Sequence, residues 1–190
     1  MRGIVVQEFI TLDGLVAGPN NSVDFIPQSM QGDRKFGREQ LALMETTDTL
    51  LLGRATYDMF AGYWPNASTE GDEQEFADKF NALQKVVFSK TLERAPWGEW
   101  GEARIARSTP VDEAKRLKQQ SGKDILVSGS ISIAQTLIDQ HLIDEYRLVF
   151  CPMVLGSGRR LFRDEGEPMK MNLVRANGLD RGGVSLIYSE

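Results

Sequence analysis

A short apolar run, Ile125-Leu126-Val127, is followed at once by Ser128-Gly129-Ser130. Ile131, Ala134, Leu137 and Ile138 then recur at three- and four-residue steps. The apolar period changes from strand-like to helical across three small residues. A buried strand that feeds straight into an amphipathic helix points to an α/β layer architecture, and this junction constrains the chain most. It also aims backbone N–H groups and the positive end of a helix dipole at one spot, which suits a phosphate. The simpler alternative is a plain strand-to-helix turn with Ser130 as its N-cap.

The same alternation fills the first two-thirds of the chain. Gly3 to Thr11 reads as a central strand ending in the turn Leu12-Asp13-Gly14, with a Gly-, Pro- and Asn-rich loop over Gly18 to Ser22. Met30 to Asp48 carries a helical pattern through Phe36, Leu41 and Met44. Thr49 to Gly53 is a second buried strand and runs directly into a helix that opens with Arg54-Ala55-Thr56. After Tyr63-Trp64-Pro65 and a polar loop over Asn66 to Asp72, a helix places Phe76, Phe80 and Leu83 on one face. Lys85 to Phe88 is a third strand, ending in Ser89-Lys90-Thr91. Ala95 to Glu102, with one Pro, two Gly and two Trp, reads as a surface loop or lid, and Ala103 to Ala106 as a short strand. A helix begins at Thr109-Pro110 with Asp112 and Glu113 in its first turn. Glu145 to Cys151, Met169 to Ala176 and Val184 to Tyr188 are strands with no helix between them, so they should pair antiparallel or at an edge. The expectation is one α/β domain over residues 1–190 with a mixed, mostly parallel sheet and antiparallel C-terminal strands.

Composition narrows the function classes. A formal net charge of −5 offers no basic patch for nucleic acid. No apolar run approaches membrane-spanning length, and the N-terminus lacks a signal-peptide pattern. The single cysteine, Cys151, excludes an internal disulfide framework and suggests a cytoplasmic setting. With one histidine, His141, and one cysteine, a zinc site of the usual His/Cys type is excluded as well. Cys151 reads as a small core residue, and Glu8 should either reach the crevice mouth or face water, because burying it unpaired is costly.

Three strand ends can be compared: Gly53-Arg54-Ala55-Thr56, Ser89-Lys90-Thr91 and Ser128-Gly129-Ser130. In a parallel sheet the carboxyl ends of strands open onto one crevice, where ligands bind. Together they offer two helix N-termini, two cations and several hydroxyls. A dinucleotide with an extra phosphate needs that set, since a pyrophosphate suits helix N-termini and a lone phosphate suits Arg or Lys.

Gly53-Arg54-x-Thr56, Ser89 and the Gly129 turn, each following an apolar strand, resemble the dihydrofolate-reductase-like fold. Thr11-Leu12-Asp13-Gly14 and Asp144-Glu145-Tyr146-x-Leu148 resemble its riboflavin-biosynthesis branch, the RibD C-terminal domain family. So does Pro152-x-x-Leu155-Gly156-Ser157-Gly158-x-x-Leu161-Phe162. The resemblance covers essentially the whole chain and implies an NADPH site. On it, Gly53 closes the second strand, Arg54 meets the 2′-phosphate, and Ala55 and Thr56 meet the pyrophosphate or its ribose. Ser89 and Lys90 border the adenosine end, and Ser128, Gly129, Ser130 and Ile131 carry the turn that donates to the pyrophosphate. Dihydrofolate reductases have a Gly-Gly turn with a cis peptide where this chain has Ser128-Gly129.

The resemblance further implies hydride transfer to a small heterocyclic (pteridine- or riboflavin-precursor-like) or carbonyl substrate. Asp13 is the candidate near the reacting end, as ribose binder or proton relay; the alternative is a turn residue capping its own loop. Tyr63 and Trp64 are expected to wall the substrate pocket, or else to cover the core edge. No carboxylate falls at Phe36-Gly37, where folate reducers carry an acid, so folate reduction is not expected; Asp33 and Glu39 flank that place. Arg159 and Arg160 read as a solvated pair, with a substrate phosphate as the alternative. The H-x-E and P-C-x-x-C patterns of the deaminase half of the bifunctional riboflavin enzyme are absent from the chain. A non-catalytic ligand-binding module on the same fold is the second reading. Tyr146, Leu148 and Phe150 suggest an edge for a homodimer.

Overall fold

The structure is a computed structural model that describes residues 2–67, 70–164 and 167–190. Among them eight strands form one sheet: β1 (Ile4–Thr11), β2 (Thr47–Gly53), β3 (Gln84–Phe88), β4 (Arg104–Ala106), β5 (Asp124–Ser128), β6 (Glu145–Cys151), β7 (Asn172–Gly178) and β8 (Val184–Ser189). Their order is β4-β3-β2-β5-β1-β6-β8-β7. The strands from β4 across to β6 run parallel, whereas β8 is antiparallel to β6, and β7 to β8. The helices are α1 (Phe25–Met30), α2 (Arg34–Thr46), α3 (Arg54–Tyr63), α4 (Asp72–Ala82), α5 (Pro110–Lys118) and α6 (Ile131–Ile138).

β1 shows why the sheet has helices on both faces. Its residues are buried almost without interruption, as a parallel strand covered on both sides requires. Ile4, Val6 and Ile10 join Ala114 and Leu117 of α5 and Ile131, Ala134 and Leu137 of α6 in one cluster. Val5 joins Leu50, Leu52 and Leu126 in another, with Leu43 and Met44 of α2, Tyr57 of α3 and Phe80 of α4. The two-residue period of a strand sends alternate side chains to opposite layers. Cys151 is fully buried in a third cluster with Phe25, Met30 and Val149.

The start of α5 follows its sequence signals. Thr109 caps it by accepting from the Asp112 N–H at 3.1 Å, and Pro110 stands in the first turn. Glu113 is buried and takes Arg104, Arg116 (2.5 Å) and Ser108 (3.0 Å) as partners. Burial alone would raise its pKa, but the guanidinium groups of Arg116 and Arg104 and the Ser108 hydroxyl outweigh it and hold the carboxyl near about 2. The folded value is depressed, so this stability is present above about pH 4.5 and is lost as pH falls toward 2. Both arginines are about half exposed, and screening reduces the gain to about 1–2 kcal/mol. Replacing Glu113 by Gln should flatten the acid limb of a urea-unfolding series between pH 5 and 2; parallel limbs for the two proteins would refute the assignment.

The structure departs from the sequence reading in several places. The helix read over Met30 to Asp48 is α2, which starts only at Arg34; Met30 closes the separate helix α1, and Gly32, at a φ of 74°, turns the chain between the two. Thr47 and Asp48 already belong to β2. The strand expected from Met169 starts only at Asn172. β6 is not an edge: β1 and β8 flank it and Tyr146 is fully buried, so β7 and β4 are the edges of the sheet. Glu8 neither faces water nor stands at a mouth, being 3% exposed. In the loop read over Asn66 to Asp72, Ser68 and Thr69 lie outside the described residues, and α4 starts at Asp72. Ala95 to Glu102 is a surface loop, as the first of its two readings had it, but one anchored in the core. Trp97 within it is buried, and Tyr57 Oη donates to the Pro96 carbonyl at 2.8 Å.

Candidate functional site

β3, β2, β5 and β1 lie side by side in parallel, so their carboxyl ends open along one margin of the sheet. The three junctions singled out in the sequence meet there. The Gly53 N–H, at the start of α3, donates to Ser130 Oγ at 3.0 Å. Thr56 Oγ1 donates to the Gly129 carbonyl at 2.9 Å. Arg54 Nη1 reaches Thr91 Oγ1 at 3.4 Å, and Ser89 Oγ accepts from the Thr91 and Leu92 N–H groups at 3.3 and 3.1 Å. The β2, β3 and β5 ends are thus stitched into one ledge.

The ledge depends on Gly129. Its φ is +66°, and a Cβ there would lie 3.3 Å from Thr56 Cγ2 and 3.5 Å from Phe60 Cζ. A side chain would combine left-handed strain with crowding against α3. The Ser128–Gly129 peptide is trans, unlike the Gly-Gly turn of the resemblance. Ser130 precedes α6, but its hydroxyl serves Gly53 and makes no cap bond to its own helix. Thr56 and Ser130 therefore hold the scaffold together. What the ledge offers a ligand is the first-turn N–H groups of α3 (Arg54, Ala55) and α6 (Ile131, Ser132), which lack intrahelical partners. Around these stand the half-exposed Arg54, the exposed Lys90 and the partly exposed Ser89. Arg54 Nε also contacts both carboxylate oxygens of Asp58, at 2.9 and 2.7 Å.

Asp13 lies one strand further along, after β1. Its carboxylate accepts from the Thr11 hydroxyl at 2.5 Å, from Gly156 N–H at 2.7 Å and from Leu155 N–H at 3.2 Å. The Thr11 hydroxyl, then the Gly156 amide, pull its pKa below the usual carboxylate range. Such a group is ionised at neutral pH and has no proton to give, so the geometry favours bracing the Leu155–Gly156 loop over proton relay. Asp33 caps α2, accepting from Phe36 N–H at 2.9 Å and Arg181 N–H at 2.7 Å, and Glu39 takes a bond from Asn177 at 2.6 Å. Both flanking acids of the first long helix are therefore engaged in structure.

Trp64 packs against Phe76 and Phe80 with ring centroids 5.3 and 5.0 Å away, and Tyr63 meets it edge-on at 5.0 Å. Trp64 covers the core edge, which was the alternative for it, whereas Tyr63 is 56% exposed beside it; neither lines the two cavities described next. One cavity of about 200 Å³ is lined by Ile10, Gly14, Leu148, Phe150, Arg160 and Phe162. A more open one of about 480 Å³ adjoins it and adds Arg159 and Arg163. These arginines have partners: Arg159 donates to Asn21 at 3.2 Å and Arg163 to Asp139 at 2.9 Å. His141, 72% exposed, faces Glu190 at 3.3 Å and lies away from the ledge.

The model of the RibD C-terminal domain family matches residues 2–184, nearly the whole chain. The chain belongs to the RibD C-terminal domain family. An uncharacterized protein of Bacillus subtilis (strain 168), YyaP, is 30% identical over 187 residues, covering 98% of this chain and 94% of its own. Among solved structures, a provisionally named riboflavin biosynthesis protein of Shewanella sp. PV-4 superposes with a TM-score of 0.75 at 22% identity, covering 98% of both chains. A diaminohydroxyphosphoribosylaminopyrimidine deaminase/5-amino-6-(5-phosphoribosylamino)uracil reductase of Thermotoga maritima superposes at 0.67 and 13% identity, the chain spanning 56% of its length. The fold is that of these RibD-like proteins, consistent with the dihydrofolate-reductase-like class. Two residues of the RibD-type ledge were named in the sequence without the contacts they make. Thr91 reaches Arg54 from a loop whose course no periodicity predicts. Glu8 gave one signal, a carboxylate on the row Ile4, Val6, Ile10 that otherwise faces the core.

Proposed function

We propose that this RibD-family protein is an NADPH-dependent reductase acting on a small heterocyclic or carbonyl compound. The observation that carries the proposal is the convergence of Arg54, the Ser89–Thr91 loop and the Gly129–Ser130 turn on one ledge, joined by direct hydrogen bonds. A phosphorylated adenine dinucleotide fits these residues. Two helix N-termini side by side offer N–H groups and positive dipole ends to a pyrophosphate. Arg54 offers a fork to a phosphate monoester, and a glycine whose Cβ would crowd α3 lets the backbone come close. Bound there, the dinucleotide would supply a hydride to an acceptor near the ends of β1 and β6. The chain's own part is to grip the phosphates, to keep the turn in place and to shape the acceptor's surroundings.

A fluorescence titration should find NADPH bound at least tenfold more tightly than NADH, with oxidation when a suitable acceptor is added. Equal affinities would remove the role given to Arg54. The engagement of Asp13, Asp33 and Glu39 in bracing and capping favours a second reading, a binding module without turnover. Stoichiometric NADPH binding with no oxidation across pteridine, flavin-precursor and carbonyl compounds would select that reading. Dimer formation and a cytoplasmic location remain part of the proposal; light scattering on the intact chain tests the first.

A further inference from the structure

Glu8 sits on β1 between the turn after β5 and the middle of β6. Gln7 pairs with Ser128, which leaves Glu8 level with Gly129, and on the other side Glu8 pairs with Leu148. Its side chain lies on the row of Ile4, Val6 and Ile10, under α6, and only 3% of the residue is exposed. One carboxyl oxygen, Oε1, has no hydrogen-bond partner, while the Gly129 N–H faces the carboxyl group. Gly129 thus sits between the Glu8 carboxyl group, which its N–H faces, and the Thr56 hydroxyl, which donates to its C=O. The two contacts fall on the successive peptides either side of the Gly129 Cα, and together they bear on the direction of the N–H groups that follow.

We propose that Glu8 is a positioning residue for the phosphate-binding turn, its carboxyl group kept uncharged beneath the ledge so that an anion can dock above it. The inference rests on the reading of that turn as a phosphate site. A carboxylate in this place would leave a buried charge with one amide as its only donor, and would repel the ligand's phosphate across the turn. A carboxylic acid satisfies Gly129 with its carbonyl oxygen and carries no charge. Burial pushes the pKa up to about 8, against the smaller opposing pull of the Gly129 amide. No ionisable neighbour sets this value. Tyr146 on the same face of β6 is turned to Glu190, Arg147 pairs with Glu145, and Arg160 stands by Gly14 in the cavity wall. The facing turns of α6 carry Ile131, Ile133 and Ala134, and on α3 the nearest charges, Arg54 and Asp58, pair with each other.

The test compares wild type, Glu8→Gln and Glu8→Leu. Glutamine keeps an acceptor for Gly129 and cannot ionise; leucine removes the acceptor. NADPH titrated from pH 7 to 9 should bind wild type about tenfold more weakly at pH 9, as ionisation above about 8 withdraws the competent form. Glu8→Gln should be flat over that range, and Glu8→Leu weaker at every pH. Identical profiles for wild type and Glu8→Gln would overturn the proposal. A second arm uses no cofactor. A raised folded pKa gives stability that is full below about pH 4.5 and lost as pH rises to about 8. The urea midpoint of wild type relative to Glu8→Gln should therefore fall across that window, and parallel curves would overturn the proposal even if NADPH binds. If neither protein binds NADPH while the midpoints diverge, the reductase reading fails and the buried acid stands. Should Glu8→Gln not fold, the wild-type infrared difference between pH 7 and 9 must show a carboxylic-acid C=O band giving way to carboxylate; its absence refutes the proposal.

Discussion

Replacing Trp97 by alanine is expected to destabilise the protein by about 3–5 kcal/mol and to lower Tm by about 10 °C. Trp97 is 1% exposed and among the largest fully buried side chains. Its ring stands between Tyr57 and Phe80, at centroid distances of 6.2 and 6.5 Å, with Lys85 Nζ 4.8 Å from the ring centre. The indole N–H donates to Asn81 Oδ1 at 2.7 Å. Alanine there would open a cavity, leave a buried amide oxygen without its donor and strip the aromatic face from a buried ammonium group. Phenylalanine, which fills most of the space but not the hydrogen bond, should lose about half as much. Thermal unfolding followed by circular dichroism measures both, and a fall of less than 2 °C for the alanine variant would contradict this account. NADPH affinity well below the transition should survive, because the rings Trp97 packs on, Tyr57 and Phe80, are not among the residues that face the ligand.

Trp97 also shows where sequence reading stops. A stretch with Pro, two Gly and two Trp looks like a surface loop by composition, and composition says nothing about which Trp turns inward. Gly98 and Gly101, at φ values of 57° and 96°, make the tight turn that closes Trp97 N–H on the Gly101 carbonyl at 2.8 Å. A Cβ at Gly98 would come within 2.6 Å of Pro65, so this loop docks on the Trp64–Asn66 segment. That tertiary contact has no local signature. The parallel strands, by contrast, were legible because continuous burial leaves an apolar run such as Leu50-Leu51-Leu52 or Ile125-Leu126-Val127. The junctions at Gly53 and Gly129 were legible because the period changes there. Their convergence followed from topology, since parallel neighbours must end on the same side. What each hydroxyl does was not legible. Ser130 and Thr56 suit a phosphate by type, yet cross-strand register gives them Gly53 and Gly129 as partners. Glu8 was misjudged for a related reason: the cost of burying a carboxylate assumes a charge, and the uncharged form proposed for it would carry none.

Exchanging Arg54 for alanine should weaken NADPH about 10- to 100-fold and leave NADH almost unchanged, because a charge-assisted contact to a phosphate contributes about 1.5–3 kcal/mol. The side chain opens α3 beside Gly53, and its guanidinium Nη1 points to the Ser89–Thr91 loop. Nε is held by Asp58 one helical turn on, which fixes the fork and also competes with a ligand for its charge. Replacing Asp58 by Asn should therefore tighten NADPH slightly if the competition dominates, and loosen it if orientation dominates; either outcome places Arg54 at the ligand. Lysine at position 54 keeps the charge without the fork and should recover part of the loss. Since Arg54 is about half exposed, salt should reduce the NADPH preference of the wild type and leave the Arg54→Ala protein insensitive. A variant that lost NADPH and NADH equally would show that position 54 supports the ledge without meeting the extra phosphate. The dinucleotide would then have to be anchored by backbone N–H groups alone, and the distinction between the two cofactors sought elsewhere on the margin, first at Lys90.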